Sequence, residues 1–575
     1  MYHCGPVGSI RRAATTLEPL LAASVVWVLA WTAARGFSSL AVFRGPLGWV
    51  LVAMGGAVAL GRGVRSRSWA PRNVTLFAVA AVFNLSLGLH YASGLRVSGD
   101  EPHYLLMAQS LWREGDLDLR DNLARQDFRE YTPGPIAPHW GAPRKDGRPF
   151  PAHSPGLPVL LAPFYALWGR LGCVFVLGLL AAWLAVEVRL LGRSLLGTGP
   201  DLTAWIIALG PPVVFFAFHV YTEVPSTLAL TLALRLLLGT PGPALAVAAA
   251  LSASALPWLH LKMIPAAAVL GLVALVRLRG RPRTLFFAVG GVAAGGFLVY
   301  YSSVFGTPWP TAIYGGLPAD LTLRAPARAL VGLLLDRSFG LLPHAPIFLL
   351  ALAGLPALCR VKHWPLLLLV LALLAPILTW RMWWGGQCPP GRFLVPLVPF
   401  LALAAAAGMT APRRGLHRWR VPLAAAGLAL AVFMALRPGE LLLVNRGDRP
   451  TRVWAALSGE APVGRYLPSL VSSDPAETRT ATVWLGVLVG LLALHAGARR
   501  SGRVDSLFTG LTLPLALLLA ALTLIDLWAK PFDGSTQQSA ISHQQRQTKP
   551  LDVQSADDAD QHSAFSYGND RRVGK

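Results

Sequence analysis

Long apolar runs separated by short basic connections make up nearly the whole chain. From residue 17 to residue 528, apolar stretches of about 15 to 22 residues recur, which is the length a helix needs to cross a bilayer. The pattern predicts an all-α integral membrane protein with roughly 13–15 transmembrane helices. The basic connections set its orientation. With Arg11 and Arg12 cytoplasmic, spans near 17–35 and 46–61 return the chain to Arg62, Arg65, Arg67 and Arg72, and a span near 74–95 carries it outward. A signal peptide over the first span would leave the later orientation unchanged. Residues 156–168, about 13 apolar positions, are too few to span and read as a juxtamembrane helix. Arg189 and Arg193, the arginines of 277–283, Arg360 and Lys362, those of 413–420, and Arg499, Arg500 and Arg503 then all fall inside.

The longer connections, 96–155, 305–340, 381–391 and 437–480, fall outside, and function is expected there. The polar stretch 529–575 reads as disordered. Composition agrees with a membrane chain, with 54% hydrophobic and only 14% charged residues. A formal charge of +23 raises nucleic acid as a partner, but the arginines lie in the short connections, so the charge is a topology signal and no nucleic acid is expected. Cys4, Cys173, Cys359 and Cys388 are scattered, which indicates neither a disulfide framework nor a zinc site. No GxxxxGK[ST] loop is present, which argues against an ATP-driven pump.

Two acids stand directly after the 74–95 span, in Ser98-Gly99-Asp100-Glu101-Pro102-His103-Tyr104. Carboxylates at the membrane surface call for an explanation. Pro102 suits a first helical turn, and Tyr104, Leu105, Leu106, Ala108, Leu111 and Trp112 recur at helical spacing, so a surface helix with one apolar face on the membrane is expected. The plain alternative is that Asp100 and Glu101 only cap that helix. Adjacent carboxylates project in different directions and cannot be a facing acid and base. One carboxylate can nevertheless act alone when the leaving group is a stable anion such as a lipid phosphate. Cations must then hold the phosphate, and the outer span ends offer His260, Lys262, Arg337 and Arg392. Lys262 and Arg392 also fit snorkelling side chains. Glu223 is an acid at another outer span end, suited to pairing with a cation or to holding an acceptor or metal. His139 and His153 are candidate ligands beside the carboxylates, though lone histidines are more often plain loop residues.

The motifs Gly99-Asp100-Glu101-Pro102-His103-Tyr104 and His153-Ser154-Pro155-Gly156-Leu157-Pro158 resemble the first loop of the GT-C superfamily of polyprenyl-phosphate-sugar-dependent glycosyltransferases. The arm they look most like contains protein O-mannosyltransferases and lipid A aminoarabinose transferases. Phe305-Gly306-Thr307-Pro308-Trp309-Pro310, Leu335-Asp336-Arg337-Ser338-Phe339-Gly340-Leu341 and Gly391-Arg392-Phe393-Leu394-Val395-Pro396 look like motifs of bacterial members, over about residues 74 to 410. The resemblance implies a GT-C-like catalytic core over 74–410 with outward juxtamembrane helices in loop 96–155; the apolar runs add N-terminal spans over 1–73, two more than better-known relatives have before this loop, and C-terminal spans over 411–528 with outer loop 437–480. It implies Asp100 as the catalytic carboxylate and Glu101 as the second acid. Lys262, Arg337 and Arg392 become donor-phosphate ligands, with Glu223, His260, His153 and His103 as acceptor or metal candidates. Members differ in metal use, so the cofactor is left open, a divalent metal included.

The function implied is inverting transfer of a sugar from a polyprenyl-phosphate donor to a lipid, glycan or protein acceptor, on the periplasmic face of a bacterial inner membrane among its lipids. A transporter or flippase of a lipid-linked substrate, or an inactive scaffold, is the alternative; the clustering of acids at one surface favours catalysis.

Overall fold

The fold was taken from a computed structural model that describes residues 73–197, 201–316, 321, 326–351, 354, 364–410, 420–447, 451–458, 463–471, 479–487 and 489–490. The expected spans near 17–35 and 46–61 and the 529–575 tail lie outside the described residues. Among the described residues the secondary structure is helical, with two isolated β-bridges and no strand. Seven helices frame the site: α1 (Asn73–Ala92), α2 (Glu101–Arg113), α3 (Gly156–Leu196), α4 (Glu223–Leu238), α5 (Pro243–Leu259), α6 (Ile264–Arg277) and α7 (Gly280–Phe305). Three segments, Asn73–Ala92, Gly156–Leu196 and Gly280–Tyr314, are long and apolar enough to cross a membrane. Shorter apolar helices such as Trp364–Leu378 and Arg420–Leu436 accompany them. The chain is an all-α membrane protein, as its apolar runs predict.

The helix α3 lies at the centre, packed against α1, α2 and α4, while α5 joins α4 to α7. By contrast α7 shows most of its apolar side chains outward, with Val292 79% and Val299 68% exposed, as suits a lipid-facing helix. The backbone of α3 is broken at Trp168 and Gly169, at the end of the run read as a juxtamembrane helix. Gly169 takes φ +56°, open to glycine without strain, and the next residue, Arg170, is turned into the interior. Within the bundle Arg235 of α4 pairs with Glu187 of α3, which also accepts from Trp183 Nε1 at 3.0 Å. Arg277 donates to the carbonyls of Leu237 and Leu238 at 3.0 and 2.7 Å, satisfying free acceptors at the end of α4.

The helix α2 begins where expected but is not a surface helix. Every residue from Glu101 to Ser110 is buried, and Trp112 alone of its large apolar side chains is well exposed, at 57%. The correction has a simple cause: α2 packs on α3 and is covered on its other side by Leu119, Phe128 and Tyr131 of the same loop. An amphipathic pattern records one apolar face; it cannot reveal that the chain folds over the polar one.

Candidate active site

Asp100 precedes α2 in an N-cap position, yet its side chain makes no capping bond. Capping therefore does not account for the residue. Its carboxylate accepts instead from Arg392 Nη2, 292 residues away in sequence. Gly99 permits this loop path: it has φ +59°, and a Cβ there would lie 2.2 Å from both the Gln387 carbonyl and the Tyr221 hydroxyl. The Tyr221 hydroxyl donates to the Ser98 carbonyl at 3.0 Å, tying the loop to the start of α4.

Arg392 is buried and fully engaged on one side. Its Nε donates to Glu223 Oε1 at 3.1 Å and its Nη1 to the Gly385 carbonyl at 2.7 Å, while its guanidinium lies 4.4 Å from the Tyr221 ring centre. Lys262 Nζ donates to the same Glu223 oxygen at 3.0 Å and sits 4.3 Å from the Phe393 ring centre. His260, before the turn carrying Lys262, accepts from the Lys262 backbone N–H at 3.2 Å. Asp100, Arg392, Glu223 and Lys262 thus form a continuous chain of alternating charge at the ends of the apolar helices. Burial alone would raise the Asp100 carboxyl, but the adjacent Arg392 guanidinium brings it well below the usual carboxylate range.

On the other side of Asp100 stand three histidines. A bridge between Trp140 and Pro151, with Gly141 N–H donating to the Phe150 carbonyl at 2.7 Å and Ala152 N–H to the His139 carbonyl at 2.9 Å, closes a small loop. His139 and His153 are thereby set side by side, with His139 Nδ1 and His153 Nε2 3.3 Å apart, and Asp100 Oδ1 lies 3.9 Å from His139 Nδ1. His103 stacks on His139 at 3.8 Å between ring centres. Burial pushes His153 down to about 4 and lowers His139 and His103 as well, against the attraction of Asp100, so all three are neutral near pH 7. Neutral imidazoles carry lone pairs. One ligand atom each from Asp100, His139 and His153 can be found within 4.8 Å of one another. Two nitrogens bound to one tetrahedral zinc lie about 3.3 Å apart, so the donor set fits a divalent cation.

Glu101 turns the opposite way. It is fully buried, accepts from the Tyr91 hydroxyl, and lies 3.5 Å from Arg170 Nη2. Arg170 also donates to the Gly94 and Arg96 carbonyls at 2.7 and 2.9 Å, and its guanidinium is 4.6 Å from the Tyr91 ring centre. Burial pushes the Glu101 carboxyl up, opposed by Arg170 and Tyr91. Glu101 therefore anchors the loop from behind and does not join Asp100 as a second acid facing substrate. Arg337 is also elsewhere. Its backbone N–H donates to the Pro468 carbonyl at 2.8 Å and its Nη1 to the Gly464 carbonyl at 2.9 Å, so it fastens the 464–468 segment. Asp336 is the hinge of that arrangement, accepting from the N–H groups of Ser338, Phe339 and Leu470 at 2.8, 3.0 and 2.7 Å.

The sequence pattern alone does not single out Arg170, Tyr91 or Tyr221. Arg170 did carry a signal, being a charge inside a long apolar run. The tyrosines carried none, because an aromatic near a span end is ordinary.

No protein-family model matches the chain, and no curated protein does. Among solved structures it is similar to the ArnT of Cupriavidus metallidurans bound to undecaprenyl phosphate, at 13% identity and TM-score 0.41, over 83% of this chain and 81% of that one. The apo form of the same ArnT gives 16% identity and TM-score 0.42, over 78% and 76%. The apo oligosaccharyltransferase of Archaeoglobus fulgidus gives 14% identity and TM-score 0.40 over 69% of this chain, which spans only 57% of that protein.

Proposed function

We propose that the protein is a membrane glycosyltransferase that moves a sugar from a polyprenyl-phosphate donor to a lipid, glycan or protein acceptor, with Asp100 as the catalytic carboxylate. The observation that carries this reading is the Asp100–Arg392–Glu223–Lys262 chain, which sets a partly exposed carboxylate beside two cations suited to a phosphate. The acceptor oxygen or nitrogen attacks the anomeric carbon from the face opposite the phosphate and gives its proton to Asp100. The bond from that carbon to the phosphate oxygen breaks, its electron pair leaves on the phosphate, and Arg392 and Lys262 hold the anion. The anomeric configuration inverts.

The pairing with Arg392 keeps Asp100 ionised but weakly basic. A donor phosphate that draws Arg392 toward itself restores basicity to Asp100, so donor binding precedes deprotonation of the acceptor. Asp100, His139 and His153 would hold a divalent cation, which when bound supplies Lewis-acid polarisation of an oxygen at that carboxylate. The periplasmic face of a bacterial inner membrane is the location this reading requires. The test is sugar release from a panel of polyprenyl-phosphate sugars by purified protein, wild type against Asp100→Asn, with and without EDTA. Loss of donor consumption in the variant supports the assignment; full activity in Asp100→Asn would falsify it.

A further inference from the structure

Glu223 has no part in the bond changes above, yet it is the most enclosed member of the cluster, with no exposed surface. Both cations converge on one of its oxygens, Oε1, while Oε2 is buried without a hydrogen-bond partner. A phosphate offers two non-bridging oxygens where this carboxylate uses one. The cations do not depend on Glu223 alone for their placement: Lys262 lies over Phe393, and Arg392 is held by Gly385 and by the Tyr221 ring. Charge accounting adds a constraint. Asp100 and Glu223 cancel Lys262 and Arg392, so the four side chains together carry no net charge. A sugar phosphodiester brings one negative charge to them and a diphosphate link brings two; the free lipid phosphates each carry a further partial ionisation near pH 7 but differ from one another by about one charge in the same sense, and unbalanced charge in a poorly hydrated site is strongly unfavourable.

We propose that Glu223 is the resident counter-ion of the phosphate subsite: it holds Lys262 and Arg392 together, competes with the incoming donor for them, and thereby selects a lipid linked through one phosphate over one linked through two. The inference rests on the reading of Lys262 and Arg392 as phosphate-binding groups. Glu223 is then a positioning and specificity residue acting through those cations, and its removal strengthens anion binding where loss of a direct ligand would weaken it.

The experiment is equilibrium binding of undecaprenyl phosphate and undecaprenyl diphosphate to full-length protein in nanodiscs, comparing wild type, Glu223→Gln and Glu223→Asp. Wild type is expected to favour the monophosphate by about tenfold, and Glu223→Gln to bind it about tenfold and the diphosphate about a hundredfold more tightly, erasing the preference. Glu223→Asp, which keeps the charge, retains the wild-type order. Unchanged or weaker binding by Glu223→Gln, with the monophosphate still bound by wild type, overturns the counter-ion role and leaves the phosphate subsite standing. Absence of binding of either lipid to any of the proteins overturns both. Should Glu223→Gln fail to fold, judged by its melting curve, the wild-type preference decides: equal or tighter binding of the diphosphate sinks the proposal.

Discussion

Asp100 and Glu101 are neighbours in sequence with opposite surroundings. Asp100 lies between Arg392 on one side and His139 on the other, and its side chain is 21% exposed. Glu101 faces a sealed compartment of Tyr91 and Arg170, with no exposure at all. Each acid is paired with an arginine, but the arginines differ in what else they do. Arg392 lies between two carboxylates, an arrangement that an incoming anion can reorganise. Arg170 is fixed to two backbone carbonyls of the 94–96 turn, an arrangement with nothing to exchange. A pair of acids in a motif is thus divided into a group available for chemistry and a strut that holds it in place.

The division has consequences that can be measured. The largest belongs to Asp100: its change to Asn should lower transfer by about 10²- to 10⁴-fold with only a small change in melting temperature, because Arg392 keeps Glu223 and the Gly385 carbonyl as partners. Initial rates and melting curves on the same preparation check it, and a strong loss of stability would erase the contrast with Glu101. Next comes Arg170→Met, which strands the buried Glu101 carboxylate and should cost about 3–5 kcal/mol in unfolding experiments, while the rate per folded molecule falls far less than for Asp100→Asn. The double variant with Glu101→Gln should recover part of that stability; a double variant no more stable than Arg170→Met argues that the pair is not the strut described here.

A smaller effect tests the outer side of Asp100. Replacing His139 and His153 together by Ala should weaken Zn²⁺ binding, read by calorimetry, by about 10- to 100-fold or more, and Glu101→Gln should leave it unchanged. Equal affinity in the histidine variant removes the metal from the site. Smallest of all, Arg337→Ala should change the donor KM by less than about twofold, since its guanidinium serves the 464–468 segment. A rise of tenfold or more would return Arg337 to the phosphate subsite and blur the separation drawn above.

What the sequence by itself determined follows from signals that are local. Apolar run length set the membrane class, and the Arg-rich connections set its expected orientation. Pro102 and the spacing from Tyr104 to Trp112 located α2, and adjacency alone dictated that Asp100 and Glu101 diverge. Where each acid goes was decided only by the tertiary structure. Asp100 meets Arg392 across 292 residues, Glu101 meets an arginine turned inward by the break at Gly169, and His139 meets His153 through the bridge between Trp140 and Pro151. Hydropathy and helical spacing are properties of neighbours along the chain. Charge pairing between distant segments is a property of how helices pack, and no periodicity in the chain records it.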